Sequence, residues 1–180
     1  MNGYVQQREL ESNKEQKNLK MAKKYLPYIY ADARAYKAEM ENKYYNKAMS
    51  DAEQVVEKCF KANCKKEGKL SNSLQKGKYG HNIKKLKRAC NISINVSDED
   101  LDELSKAYVA GRYPEMNIQY KKEQAEKFGK IACEILDVTL EEFDVPNEEL
   151  NRELGKNKGR SIEDFKSYNR LMQFNSSQNQ

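Results

Sequence analysis

Apolar residues recur along this chain in steps of three and four. The clearest run is Tyr44–Cys64, YYNKAMSDAEQVVEKCFKANC, where Ala48, Ala52, Val55, Val56, Cys59 and Phe60 share one helical face. Lys47, Glu53, Lys58 and Lys61 fall mainly toward the other face. A lone helix with one apolar stripe does not fold, so this one must lie against others. Upstream, Ala22, Leu26, Ile29, Ala33, Tyr36 and Met40 predict a helix over 21–40, and Pro27 demands a kink or a start near it. The central helix should stop at Glu67-Gly68. After a Gly-, Ser- and Lys-rich loop over 68–80, Ile83, Leu86 and Cys90 mark a shorter helix. Ser97-x-x-Asp100 is an N-terminal capping pattern for a helix that buries Leu101, Leu104, Ala107 and Tyr108 and ends at Gly111 and Pro114. Asn117–Val138 reads as the last strong helix, with Ala125, Phe128, Ile131, Ala132, Ile135 and Leu136 inward. Residues 91–96, NISINV, alternate like a strand, but a lone strand has nothing to pair with.

The remainder is polar. Residues 1–20 read as a loosely attached helical extension. Thr139-x-x-Glu142 reads as a second capping box, opening an acidic segment that Pro146 stops. Residues 155–161 form a linker, Ser161-x-x-Asp164 caps a last amphipathic helix, and NSSQNQ is a disordered tail. The expected fold is all-α: an up-and-down bundle of four to five helices over 21–138, with a polar N-terminal extension at 1–20 and an acidic helical C-terminal extension with a disordered tail at 139–180. Short connections imply antiparallel neighbours.

Charge adds a polarity to that picture. The net +5 conceals a segregation: residues 58–88 hold eleven Lys/Arg against Glu67 alone, and residues 134–164 hold ten acids against four Lys/Arg. Such halves suit an anionic ligand on one side or self-complementary association. No apolar run approaches the roughly 18 residues of a membrane span, and MNGYVQQRELESNKEQ lacks the apolar core of a secretory signal, so we expect a cytoplasmic protein away from membranes. Cys59, Cys90 and Cys133 occupy apolar helical positions, which suits buried reduced thiols. Cys59, Cys64, His81 and Cys90 do not have the spacing of a usual zinc motif, and we expect neither metal nor cofactor.

Three blocks, in order, resemble the HEPN family, named for nucleotide binding in higher eukaryotes and prokaryotes. They are Ala48 to Ala62 around DAEQVVEKCFKA, His81-Asn82-Ile83-Lys84-Lys85-Leu86 like the family's H-x-L-x-x-L, and Tyr108 to Glu115 like its Y-x-x-x-R-Y-P-D. A closing helix, Gln124 to Leu136, sits where the family has its last one, and the resemblance covers roughly 21–138. It implies a bundle that commonly dimerises and often accompanies a separate small nucleotidyltransferase, as in toxin–antitoxin pairs. Some members are ribonucleases, with an arginine followed four to six residues later by a histidine. Here Arg112 is followed at that distance by Asn117, an amide that cannot exchange a proton as imidazole does, and the sole histidine, His81, has no arginine ahead of it at that distance.

The candidate residues follow. His81, Lys84 and Lys85 stand at a helix start and can hold a phosphate. Arg112 can clamp a phosphate or stack on a base beside Tyr108 and Tyr113, and the resemblance brings Arg112 and Tyr108 to the mouth of an interhelical cleft. Lys61, with Lys58, joins them only if its face lines the same cleft. We assign no catalytic residue. The expected function is nucleotide or nucleic-acid binding, as a homodimer or beside a nucleotidyltransferase in trans. The alternatives are a metal-independent ribonuclease with a degenerate motif and a protein–protein adaptor. Tyr28, Tyr30, Tyr44, Tyr45, Tyr108 and Tyr113 exceed what one modest core buries, which favours a homodimer.

Overall fold

The computed structural model describes residues 2–70 and 82–145. Six α-helices carry the described residues: α1 Asn2–Lys23, α2 Leu26–Glu41, α3 Tyr45–Lys66, α4 Ile83–Ala89, α5 Asp98–Ala110 and α6 Lys122–Glu142. No strand occurs among the described residues, and 91–97 is irregular chain. The fold is all-α. The loop over 71–80, His81, the Pro146 stop, the linker, the Ser161 helix and the tail lie outside the described residues.

α3 is the axis of the molecule. It packs against α1, α2, α4, α5 and α6. Its stripe of Ala48, Ala52, Val55, Val56, Cys59 and Phe60 is fully buried. Neighbours on more than one side also enclose Glu53, Glu57 and Lys61. The expectation that Glu53 and Lys61 face outward is therefore corrected: a helix surrounded by others has little solvent face left. α2 begins at Leu26, with Pro27 in the first turn, where its missing N–H costs nothing. α1 is exposed along residues 7–17 and joins the core at its end through buried Ala22.

Two helix boundaries differ from the sequence reading. α6 starts at Lys122 rather than Asn117, because Asn46 holds the intervening chain extended on α3. Its Nδ2 donates to the Ile118 carbonyl at 2.5 Å, and its Oδ1 accepts from the Tyr120 N–H at 2.7 Å. At the other end Thr139 caps nothing. Its hydroxyl, buried inside α6, donates to the Ile135 carbonyl at 2.7 Å and accepts from Asn63 Nδ2 at 3.0 Å, so the helix runs through to Glu142.

Candidate functional site

The site is built where α2, the N-terminal half of α3 and the end of α5 meet. Asp51, Gln54 and Lys58 are spaced three and four apart on α3 and form one stripe. Lys58 Nζ donates to Asp32 of α2 at 2.5 Å and to Gln54 Oε1 at 2.9 Å. Farther along, Lys47 pairs with Glu39 at 2.8 Å. Burial pushes the Asp51 carboxyl up to about 7, with Asp32 and Glu39 adding to the rise and Lys47 and Lys58 opposing it. Asp32 is also raised by burial, against the Lys58 hydrogen bond and the charges of Lys58 and Arg112.

Arg112 reaches this face because α5 ends against α3. Gly111 makes the approach close: a Cβ there would lie 2.5 Å from that of Ser50. Immediately after it, Arg112 is exposed, with its guanidinium carbon 4.2 Å from the centre of the Tyr108 ring. That is a stacked cation–π pair, and it presents the outer guanidinium face to solvent. The chain then makes a 3-10 turn at Pro114–Met116 and passes Asn117 in the left-handed region, φ 49°. Beside this end lies an open groove of about 450 Å³ lined by Lys43, Tyr44, Tyr45, Gly111, Gln119 and Tyr120.

A family model described as the HEPN domain matches residues 30–143, most of the chain, from within α2 to the end of α6. This chain belongs to the HEPN family. Membership points to a nucleotide- or RNA-related role. No curated protein and no solved structure matches the chain.

Within this HEPN bundle the residues singled out from sequence fall into separate places. Tyr108 and Arg112 stand together, and the charge of Arg112 links them to the Asp32–Lys58 pair. Lys84 is on α4 and pairs with Asp102 of α5 at 2.8 Å. Arg88 pairs with Asp98 at 2.7 Å, so part of the basic segment is neutralised by the acidic start of α5. Asp102 precedes Arg112 by ten residues, about 15 Å along a helix, so Lys84 and Arg112 do not converge on one small ligand. Lys85 is exposed on α4, and His81 lies outside the described residues. The side chain that caps α4 is Asn82, whose Oδ1 accepts from the Lys85 N–H at 3.0 Å. Lys61 is buried and paired with Glu57 at 2.6 Å, a different use of the helix from that of Lys58.

Sequence reasoning missed Asp32, Glu39 and Asp51. Each lies on a polar position of its helix, but nothing in the spacing says that α2 and α3 bring those positions together. Among the described residues, no group of three or more His, Cys, Asp and Glu side chains is arranged to hold a metal ion. The larger groove of about 810 Å³ lies elsewhere, between α1 and the end of α3, and mixes Glu11, Glu15 and Glu67 with Lys14, Lys66 and Lys69.

Proposed function

We propose that this HEPN domain binds RNA through Arg112 and Tyr108 without cleaving it, as a homodimer or beside a separate minimal nucleotidyltransferase of the toxin–antitoxin kind. The observation that carries the reading is the exposed guanidinium stacked at 4.2 Å on Tyr108. Such a pair offers a forked donor for a phosphate and a flat cation for a base. Lys58 is half-enclosed and tied to Asp32, so it supports the field around Arg112 rather than reaching the ligand.

Lys85, exposed on α4 beside the Asp102-paired Lys84, supplies the second anchor in this reading. With one phosphate per roughly 3.4 Å of strand, a separation of about 15 Å spans several nucleotides. A mononucleotide touches one end only; a strand of RNA touches both, and this favours RNA as the ligand. Asn117, where ribonucleases of the family carry histidine, supplies neither a general acid nor a general base. The test is a titration of labelled RNA without metal, with the wild type and Arg112→Ala. Binding with intact RNA is expected, and arginine-dependent cleavage would overturn the proposal.

A further inference from the structure

Cys64 and Cys90 come from different elements and meet. Cys64 is in the last turn of α3, and Cys90 is the residue that ends α4. The Leu86 carbonyl draws both toward one point: Cys64 Sγ lies 3.5 Å from it, and the Cys90 N–H donates to it at 3.1 Å. Glu67 fastens the same junction from the end of α3, its Oε1 accepting from the Asn91 N–H at 2.8 Å. The Cys64 thiol donates to the Leu86 carbonyl, and the Cys90 thiol donates at 3.6 Å to the carbonyl of Lys87, the next residue of the chain.

We propose that Cys64 and Cys90 form a reversible disulfide, a redox modification site that ties the end of α3 to the end of α4. The inference is independent of the RNA reading. The oxidant is of the peroxide class. The Cys90 thiolate attacks one peroxide oxygen, the O–O bond breaks, and Cys90 becomes a sulfenic acid as hydroxide leaves. Cys64 sulfur then attacks Cys90 sulfur, the S–O bond breaks, and the second oxygen leaves as water after taking a proton. Over both steps, two thiols and one hydrogen peroxide give one disulfide and two waters.

The roles follow from the surroundings. The neighbouring Cys64 lowers the Cys90 thiol below its ordinary range, burial opposes this, and the Ile92 backbone lowers it further. Cys64 is raised, first by its neighbour Cys90 and then by burial, so it suits the resolving partner. Cys59, fully enclosed, is pushed up to about 12 by burial and is a poor nucleophile. Both reacting cysteines are buried, and each sits at a helix end rather than inside a helix as Cys59 does. Cys90 has already left α4 for extended backbone, ψ 147°, so an S–S bond of about 2.0 Å there would not break a helical turn.

Peptide mapping decides the matter. The full chain is treated with one equivalent of hydrogen peroxide, alkylated, and digested without reduction. The expected result is a Cys64–Cys90 cross-linked peptide, a fall from four to two alkylated thiols, and full recovery with dithiothreitol. Oxidation should also raise the melting temperature by on the order of 5 °C, because the bond closes a long loop. Cys90→Ser should keep its three remaining thiols alkylatable, and Cys64→Ala should leave a sulfenic acid at Cys90 that dimedone traps. The wild-type map stands even if Cys64→Ala fails to fold. Four alkylated thiols after peroxide, a cross-link through Cys59 or Cys133, or sulfinic acid at Cys90 without a cross-link would each overturn the proposal.

Discussion

Glu53 shows how a single enclosed residue shapes the chemistry of this bundle. It is fully buried on α3; among the described residues its Oε1 has no hydrogen-bond partner, and Gln54 donates to its Oε2 at 2.7 Å. Burial, with Glu57 adding, pushes its carboxyl up to about 8, and Asp51 stands at about 7. Between their ordinary values of 4.5 and 3.8 and these raised ones, the folded chain binds more protons than the unfolded chain. Stability from these two groups is therefore full below about pH 4 and is lost as pH rises through about 7 and 8. We expect Glu53→Gln to melt higher than wild type at pH 9 and close to it at pH 5; melting curves at the two pH values check this, and equal differences at both would refute it. Tyr36 makes a second residue-scale point. Its hydroxyl donates to the Ala125 carbonyl at 3.0 Å across Gly129, where a Cβ would lie 1.9 Å from the oxygen. Gly129→Ala should cost about 2–4 kcal/mol in urea unfolding, from the lost hydrogen bond and the steric displacement of the ring. Tyr36 and Phe128 were legible as inward positions. Gly129 was not, because a helical glycine gives no sign of which neighbour it admits.

Among the elements, three helices end in the same hydrogen-bonded turn. After α2 the Tyr44 N–H donates to the Glu39 carbonyl at 2.8 Å and the Lys43 N–H to Met40 at 3.1 Å. After α3, Lys69 donates to Cys64 and Gly68 to Lys65; after α6, Val145 donates to Leu140 and Asp144 to Glu141. This motif wants a left-handed residue at its bend. Gly68 takes φ 70° freely, whereas Lys43 takes φ 63° at a steric cost. Lys43→Gly should therefore stabilise the fold by about 1 kcal/mol, read as a higher urea midpoint at unchanged slope. A lower midpoint would show that Lys43 contributes more through its side chain than its backbone costs. The Gly68 stop was legible because glycine advertises such a bend; the one at Lys43 was hidden by an ordinary residue. Helix starts were legible where a cap is local, as at Ser97, whose Oγ accepts from the Asp100 N–H at 3.1 Å. The start of α6 was not, because Asn46, seventy-two residues away in sequence from Ile118, decides it.

For the whole molecule, periodicity disclosed the all-α class and the central helix, since buried stripes repeat along each element. It did not disclose which charges meet. Lys84 and Arg88 belong to the basic stretch over 58–88, yet α5 answers them with Asp102 and Asp98. Arg112 and Tyr108 were chosen from the family pattern, and their stacking could not be read from a spacing of four alone. Tyr28, Tyr44, Tyr113 and Met116 remain 65%, 63%, 50% and 48% exposed, and Tyr44 lines the same groove as Gly111, two residues before Tyr113. We expect these aromatics to support a homodimer, so sedimentation equilibrium at micromolar concentration should give twice the chain mass, and a monomer would argue against it. The most direct test of the account is the affinity of Arg112→Ala for single-stranded RNA, measured by fluorescence anisotropy at low and moderate salt. Loss of a charge-assisted phosphate contact should weaken binding about tenfold or more and flatten the salt dependence, while melting stays near that of the wild type. An Arg112→Ala protein that binds RNA with unchanged affinity and salt dependence would contradict it.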